Sequence, residues 1–208
     1  MKKERCEFMN DKGSTFLFNT ISSVYGLFYG KQKRWFKNVI ETAKKELDIK
    51  QYKTIIDVGC GTGALCSVLS EIGLEVTGVD AAIKMLNVGK SKQENNKVKF
   101  INASIIDDIQ FKDKSFDISI SSYVAHGLNK QERKDMYLQM KRISKEYVIM
   151  FDYNDSRALL TDIVEFMEGG DYFNFIKNAK EEMEEIFDEV RVINVDIRSA
   201  WYVCSVKA

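Results

Sequence analysis

At 208 residues the chain can build one domain with a substantial core and is marginal for two. Its 31 Lys and Arg balance 31 Asp and Glu, so net charge draws it toward neither nucleic acid nor an anionic membrane. Four cysteines (Cys6, Cys60, Cys66 and Cys204) without a C-x-x-C pair, beside the single histidine His126, argue against a metal site or disulfide framework and for a reducing, cytoplasmic setting.

The opening "MKKERCEFMNDKGS" has the charge of a signal peptide but not its apolar core. No later run is long enough to span a membrane, so no membrane insertion is expected. Residues 1–50 are expected to form an N-terminal helical cap around the aromatic stretch "FNTISSVYGLFYGKQKRWF". Lys31, Lys33, Arg34 and Lys37 cluster there beside Trp35, which on a neutral protein fits a solvated helix face better than a nucleic-acid site. "TIIDVGCGTGALCSVLSEIG", from Thr54, predicts a buried strand to Val58, a tight turn at Gly59, Gly61 and Gly63, and then a helix. That helix carries Ala64, Leu65, Val68, Leu69 and Ile72 on one face, and Gly73 falls where a left-handed cap would end it. Proline is absent from the whole chain, so its loops must turn on Gly, Asn and Asp.

Strand-like runs then alternate with helical stretches: "LEVTGVD" from Leu74, "VKFINA" from Val98, "FDISISSY" from Phe116 and "YVIMFDY" from Tyr147. The alternation predicts an α/β fold, a mostly parallel sheet with helices on both faces. "NKQERKDMYLQMKRISK" predicts a surface helix with Met136, Leu138, Met140 and Ile143 on its apolar side. Residues 154–187 are expected to hold two helices rich in Phe and Tyr, and "EVRVINVDIRS" with "AWYVCSVKA" to form an antiparallel pair at the sheet edge. Ligands of an open parallel sheet bind beyond the strand carboxyl ends, so the 1–50 and 154–187 segments either roof that crevice or add core. With no repeats and no linker, residues 1–208 are expected to be a single domain, monomeric or homodimeric.

Which ligand suits the glycine turn depends on Asp57. A glycine-rich strand-to-helix turn can hold the pyrophosphate of a dinucleotide, and Ala64 stands where a tolerant fingerprint would accept it as third glycine. A carboxylate two residues before the turn would repel a pyrophosphate, but it suits a ligand bearing an ammonium group. Asp80 ends the next strand 21 positions after Gly59, where a carboxylate can accept from both hydroxyls of a ribose. Either acid alone could be a strand-end cap. Together with the glycines they describe S-adenosylmethionine, a nucleoside with an ammonium group and no phosphate.

"IIDVGCGTG" followed by "VDAAIKML" resembles the class I S-adenosylmethionine-dependent methyltransferases, in particular the small-molecule branch with ubiquinone/menaquinone-methyltransferase-like members, and the similarity runs from Thr54 to Tyr153. The resemblance implies a Rossmann-like, doubly wound, seven-stranded sheet with an antiparallel C-terminal edge hairpin. It implies Asp57, Gly59, Cys60 and Gly61 at the methionine end of the cofactor, Asp80 on the ribose, and Ala81 and Met85 beside the adenine. "NASIIDDIQF" resembles the family's next motif with two departures: Ser104 holds the place of an acid and Gln110 that of a proline, which makes Ser104 and Ile105 the adenine-amino candidates. "SFDISISSYVAHGL" resembles the fourth-strand motif, so Ser121 and Tyr123 would line the meeting point of cofactor and substrate. His126 there either orients or deprotonates a substrate hydroxyl or is a structural hydrogen bonder. "SSVYGLFYG" resembles an N-terminal aromatic motif in which Tyr25 or Tyr29 would pack on the sulfonium, core packing being the alternative for Tyr29. The expected activity is methyl transfer to a small, apolar or aromatic acceptor. The rival readings are an NAD-dependent oxidoreductase and a non-catalytic cofactor-binding module.

Overall fold

The computed structural model describes residues 10–104, 106, 110–156 and 171–206, with the side chains of the first helix from residue 26 onward. Ile105, the Tyr25 side chain and residues 157–170 of the expected helical insertion lie outside these described residues. Helix α1 (Asn10–Ala43) leads into β1 (Thr54–Val58), α2 (Ala64–Glu71), β2 (Glu75–Asp80), α3 (Ile83–Lys90), β3 (Lys99–Asn102) and β4 (Phe116–Ser122). Then follow α4 (Lys130–Ile143), β5 (Ser144–Tyr153), α5 (Tyr172–Glu184), β6 (Val190–Asp196) and β7 (Ser199–Ser205).

The strands form one sheet in the order β3-β2-β1-β4-β5-β7-β6. The pairings from β3 to β5 are parallel, and β7 runs antiparallel to both β5 and β6. The doubly wound sheet and its antiparallel C-terminal edge are as expected. Strand order reverses between β1 and β4, and a crevice beyond the carboxyl ends opens at such a switch point. Register lines those ends up: Asp57 pairs across to Gly78 and Ile120, Asp80 to Asn102, and Ser122 to Phe151.

Both faces of the sheet are covered, which is why β1 and β5 are continuous apolar runs rather than alternating ones. Ile55, Ile118, Ile120, Ile149, Phe151 and Trp201 pack under α1 and α2, while Ile56, Val58, Val148, Met150 and Tyr202 pack under α4 and α5. Local chemistry sets the helix ends. Gly73 adopts φ +102°, a backbone shape that costs a glycine little, and the N–H groups of Gly73 and Leu74 reach back to Ser70 and Leu69 in a Schellman motif. Asn129 and Glu132 form a reciprocal capping box at the start of α4. On that helix Met136, Met140 and Ile143 are buried as expected, but Leu138 points to solvent and Tyr137 takes the inward position. Strand β5 starts at Ser144, ahead of its apolar run, because pairing with Phe116 extends the ladder directly from the end of α4.

Two polar ties fix helices to this frame. Lys33 and Lys37 of α1 both pair with Glu71 at the end of α2, so the basic cluster is partly neutralised inside the molecule. Trp35 is not on a solvated face: its indole N–H donates to Asp196 at 3.2 Å and its ring stacks on Phe151 at 5.2 Å. Arg133 of α4, fully buried, makes two hydrogen bonds of 2.7 and 2.8 Å to Glu182 of α5 and lies 3.0 Å from Asp171. Burial disfavours its charge, but the carboxylates of Glu182 and Asp171 outweigh that and hold the guanidinium above its usual value. No helix among the described residues is long and apolar enough to cross a membrane.

Candidate active site

The glycine turn follows directly from β1. Gly59, Gly61 and Gly63 all have positive φ, and a Cβ on Gly63 would stand 2.6 Å from the Phe100 ring, so the third glycine is demanded by packing as well as by conformation. The N–H groups of Gly59 and Cys60 donate to Val79 O, that of Gly61 to the Asp80 carboxylate at 2.7 Å, and that of Gly63 to Cys60 O. Four of the five N–H groups from Gly59 to Gly63 are therefore already donated within the protein. A pyrophosphate would find no row of donors here, which weighs against the dinucleotide alternative.

Below the turn lies an unusual pair of acids. Asp57 is 0% exposed; its Oδ2 accepts from the Cys66 thiol at 3.2 Å, and its Oδ1 has no donor among the described residues. Burial pushes its carboxyl up to about 7, against the lowering by the Cys66 hydrogen bond and reinforced by the negative charge of Asp80. The Asp80 carboxyl is likewise raised by burial, and the N–H groups of Ala82 and Gly61, both at 2.7 Å, pull it back. A buried carboxylate oxygen without a partner is costly unless a donor or cation arrives. A positive, hydrogen-bonding group would satisfy this oxygen, whereas an anionic one would not.

The other residues expected at the cofactor have these surroundings. Met85 is buried with its methyl end under Gly61, 3.9 Å from where a Cβ would stand. The Ala81 carbonyl accepts from the Asn102 side chain, which also bonds Asp80 O. Ser104 Oγ accepts from Ile106 N at 3.3 Å. The Cys60 thiol is buried, which raises it to about 11, and faces Gly78 together with Cys66. The Ser121 hydroxyl is committed to Val58 O at 2.8 Å, tying β4 to β1 at their carboxyl ends. Tyr29 lies among core residues, near Ser67 and Asn95 and beneath Lys92, rather than at the turn, which matches its core-packing alternative. Among the described residues no group of three or more His, Cys, Asp or Glu is arranged to hold a metal.

The other half of the crevice is aromatic. Tyr123, just past β4, has φ +55°, a strained shape for a tyrosine, held by its N–H bond to Phe151 O at 2.9 Å. Its ring lies 5.0 Å from Tyr153, 5.7 Å from Trp35 and 6.2 Å from His126. His126 in turn meets Tyr153 at 4.9 Å and Tyr172 of α5 at 6.5 Å. Its Nδ1 is 2.7 Å from Oδ1 of Asp152, a residue only 1% exposed that also accepts the backbone N–H of Tyr153. Burial raises the Tyr123 hydroxyl well above the usual phenol range, with partial relief from Ser199 and a further rise from Asp152. Sequence reasoning did not single out Asp152 or Tyr153 as site residues, and it counted Tyr172 among the aromatic residues expected to roof the acceptor pocket. For Asp152 a signal exists: like Asp57 and Asp80 it is an acid at the carboxyl end of a parallel strand.

The methyltransferase-domain family model Methyltransf_25 matches residues 55–146, from β1 into β5. The demethylmenaquinone methyltransferase of Staphylococcus aureus strain MRSA252 is 26% identical over 218 aligned positions, covering 88% of this chain and 86% of the relative. Among solved structures, a protein from Methanococcus maripaludis described as an S-adenosyl-L-methionine-dependent methyltransferase superposes with a TM-score of 0.69 at 15% identity, over 90% of this chain and 92% of the other. The magnesium protoporphyrin IX methyltransferase of Synechocystis PCC 6803, solved with bound SAH, gives 0.60 at 15% identity over 99% of both chains. At these identities the structural likenesses speak to the fold alone. The family match spans the very segment that carries the glycine turn and both acids, and the sequence relative extends across most of the chain. The cofactor for which that segment is shaped is S-adenosylmethionine, and the chain is an S-adenosylmethionine-dependent methyltransferase, similar in sequence and fold to the class I enzymes.

Proposed function

We propose that this methyltransferase acts on a small, largely apolar aromatic acceptor, with a hydroxylated ring such as a demethylated naphthoquinol as the leading class. The observation that carries the reading is the ring cluster of Tyr123, His126, Tyr153 and Tyr172 at the carboxyl ends of β4 and β5, beside the strand switch point. Aromatic rings that also carry hydroxyl and imidazole groups suit a hydroxylated aromatic guest. The relatedness to a demethylmenaquinone methyltransferase supports the same class.

On this reading Asp57 meets the ammonium group of the cofactor, Asp80 its ribose, and Met85 with Ala81 its adenine, while Gly59, Cys60 and Gly61 supply backbone at the methionine end. When bound, S-adenosylmethionine supplies an electrophilic methyl whose bond to sulfur breaks with the electron pair remaining on sulfur as the acceptor forms its new bond. The protein's part is to orient the acceptor and exclude water, effects worth about 7–11 kcal/mol where alignment is good. We assign the roof of the acceptor side to α1 and α5, because Trp35 touches Tyr123 and Tyr172 touches both Tyr153 and His126.

A transfer assay with methyl-labelled S-adenosylmethionine tests the proposal across reduced 1,4-naphthoquinone, simple phenols, aliphatic amines and a no-acceptor control. Label should enter the naphthoquinol or a phenol. Transfer to aliphatic amines alone, or to nothing, would show the acceptor class to be wrong.

A further inference from the structure

We infer that Asp171 is a positioning residue for the acceptor side: through Arg133 it sets the first turn of α5, and with it the Tyr172 ring, against the loop that carries His126. The inference rests on the acceptor side proposed above. Asp171 is the N-cap residue of α5, a place where an aspartate usually accepts from the N–H groups of its own first turn. Here its side chain makes no such bond. Its Oδ2 lies 3.0 Å from Nη1 of Arg133 on α4, and its Oδ1 accepts from the Asn174 side-chain amide. A contact with another helix takes the place of the local cap.

Neutralising Arg133 does not require this second acid. Glu182, further along α5, already accepts from Nε and Nη2 at 2.7 and 2.8 Å, a bidentate pair that by itself matches one positive charge. What Asp171 adds is a fixed point at the other end of the helix. Arg133 Nη1 also donates to Leu128 O, and the guanidinium lies over the Phe175 ring at 5.7 Å. One fully buried side chain thus holds α5 and the 124–129 loop in a single register. Tyr172 follows Asp171 directly, is 1% exposed, and meets Tyr153 at 5.1 Å and His126 at 6.5 Å. With Glu182 as the only carboxylate on Arg133, that tie would stand about three helical turns from Tyr172. The ring would then be free to shift across the acceptor side.

Two substitutions separate this role from helix capping. Serine is as good an N-cap as aspartate but brings no charge to Arg133, whereas alanine loses both functions. Asp171→Ser and Asp171→Ala should therefore share one defect. With 1,4-naphthoquinol held reduced by dithionite as acceptor, kcat/KM for the acceptor should fall roughly 10- to 100-fold in each. The Kd of S-adenosylhomocysteine, measured by calorimetry, should stay within about threefold of wild type. His126, the only histidine in the chain, adds a reading that needs no acceptor: its ring C–H signals, which sense the Tyr172 ring, should shift in both variants. The inference is overturned if Asp171→Ser keeps the acceptor kcat/KM that Asp171→Ala loses, because a cap would account for that, or if both variants keep it. An equal loss of cofactor affinity also overturns it, since that marks general loosening. If Asp171→Ala does not fold, Asp171→Ser alone decides. If wild-type protein does not methylate the naphthoquinol, the acceptor class falls and the His126 signals judge the placement of Tyr172: unchanged signals in Asp171→Ser refute it, and shifted ones sustain it.

Discussion

Cofactor binding should depend on pH mainly through Asp57, whose carboxyl is raised by burial and by the neighbouring Asp80. The Asp57 side chain is fully buried, one oxygen has no donor among the described residues, and burial raises it to about 7. Binding an ammonium group requires the charged form, so below pH 7 the cofactor must displace a proton. Affinity then scales as 1/(1 + 10^(pKa−pH)), and between pH 5.5 and pH 7 the Kd should fall ~16-fold, or ~1.6 kcal/mol. The ligand's own α-amino group, with an ordinary pKa near 7.7–8.0, stays protonated through most of that window and does not mimic the effect. Titration calorimetry with S-adenosylhomocysteine in two buffers of different ionisation enthalpy measures both quantities: Kd and the protons released. Release should approach about one proton at pH 5.5 and about one half at pH 7. Asp57→Asn should bind more weakly at pH 7 and lose both the slope and the proton release. The reasoning is refuted if wild-type Kd is flat from pH 5.5 to 7, or if the Asn variant retains the slope.

The same group links to stability with a definite sign. A carboxyl whose folded pKa lies above its unfolded one favours the folded state fully only below the unfolded value near 3.8, and that contribution is lost as pH rises through about 7. The cofactor-free protein should therefore lose stability relative to Asp57→Asn across that range, by at most roughly 4 kcal/mol. Saturating S-adenosylhomocysteine should narrow the difference by meeting the charge.

Asp80→Ala should weaken cofactor binding by ~1.5–3 kcal/mol, roughly 10- to 150-fold, and also lower Tm, because Asp80 holds the N–H groups of Gly61 and Ala82. Unchanged affinity in a folded variant would remove it from the ribose site. Arg133→Met should destabilise by about 3–5 kcal/mol in urea unfolding because it strands Glu182 in the interior, whereas Arg133→Met with Glu182→Leu should recover most of that loss. A double variant no better than the single would show that the pair contributes more than mutual neutralisation. Gly89→Ala should destabilise by about 1–3 kcal/mol on thermal denaturation even though alanine is the better helix former, since its Cβ would stand 2.8 Å from the Thr62 carbonyl oxygen. A stabilised variant would contradict that close approach.

The cofactor half of this molecule was legible in the sequence because its demands are local. Residues 54–73 change from a continuous apolar run to helical spacing across three glycines, and each glycine has a positive φ that favours it. Asp57 and Asp80 could be placed because strand ends are set by the same apolar runs. What spacing could not convey was their state: Asp57 is raised toward neutrality by full burial, and Asp80 already braces the turn through Gly61. The acceptor half depends on long-range meetings that no window of residues contains. Trp35 looked like part of a basic surface because its neighbours are Lys33, Arg34 and Lys37, yet it turns inward onto Phe151, more than a hundred positions away. Tyr172 reaches His126 from α5, which Arg133 and Glu182 tie to α4 and whose Phe175, Ala179 and Met183 enter the core. Asp152 lies between these cases. As the third acid at the carboxyl end of a parallel strand it could have been flagged by the logic that flagged the other two, but no glycine turn follows it to suggest a ligand. Asp152 faces a histidine instead, and that becomes visible only when the sheet sets Ser122 of β4 opposite Phe151 of β5 and so brings the loop carrying His126 against Asp152.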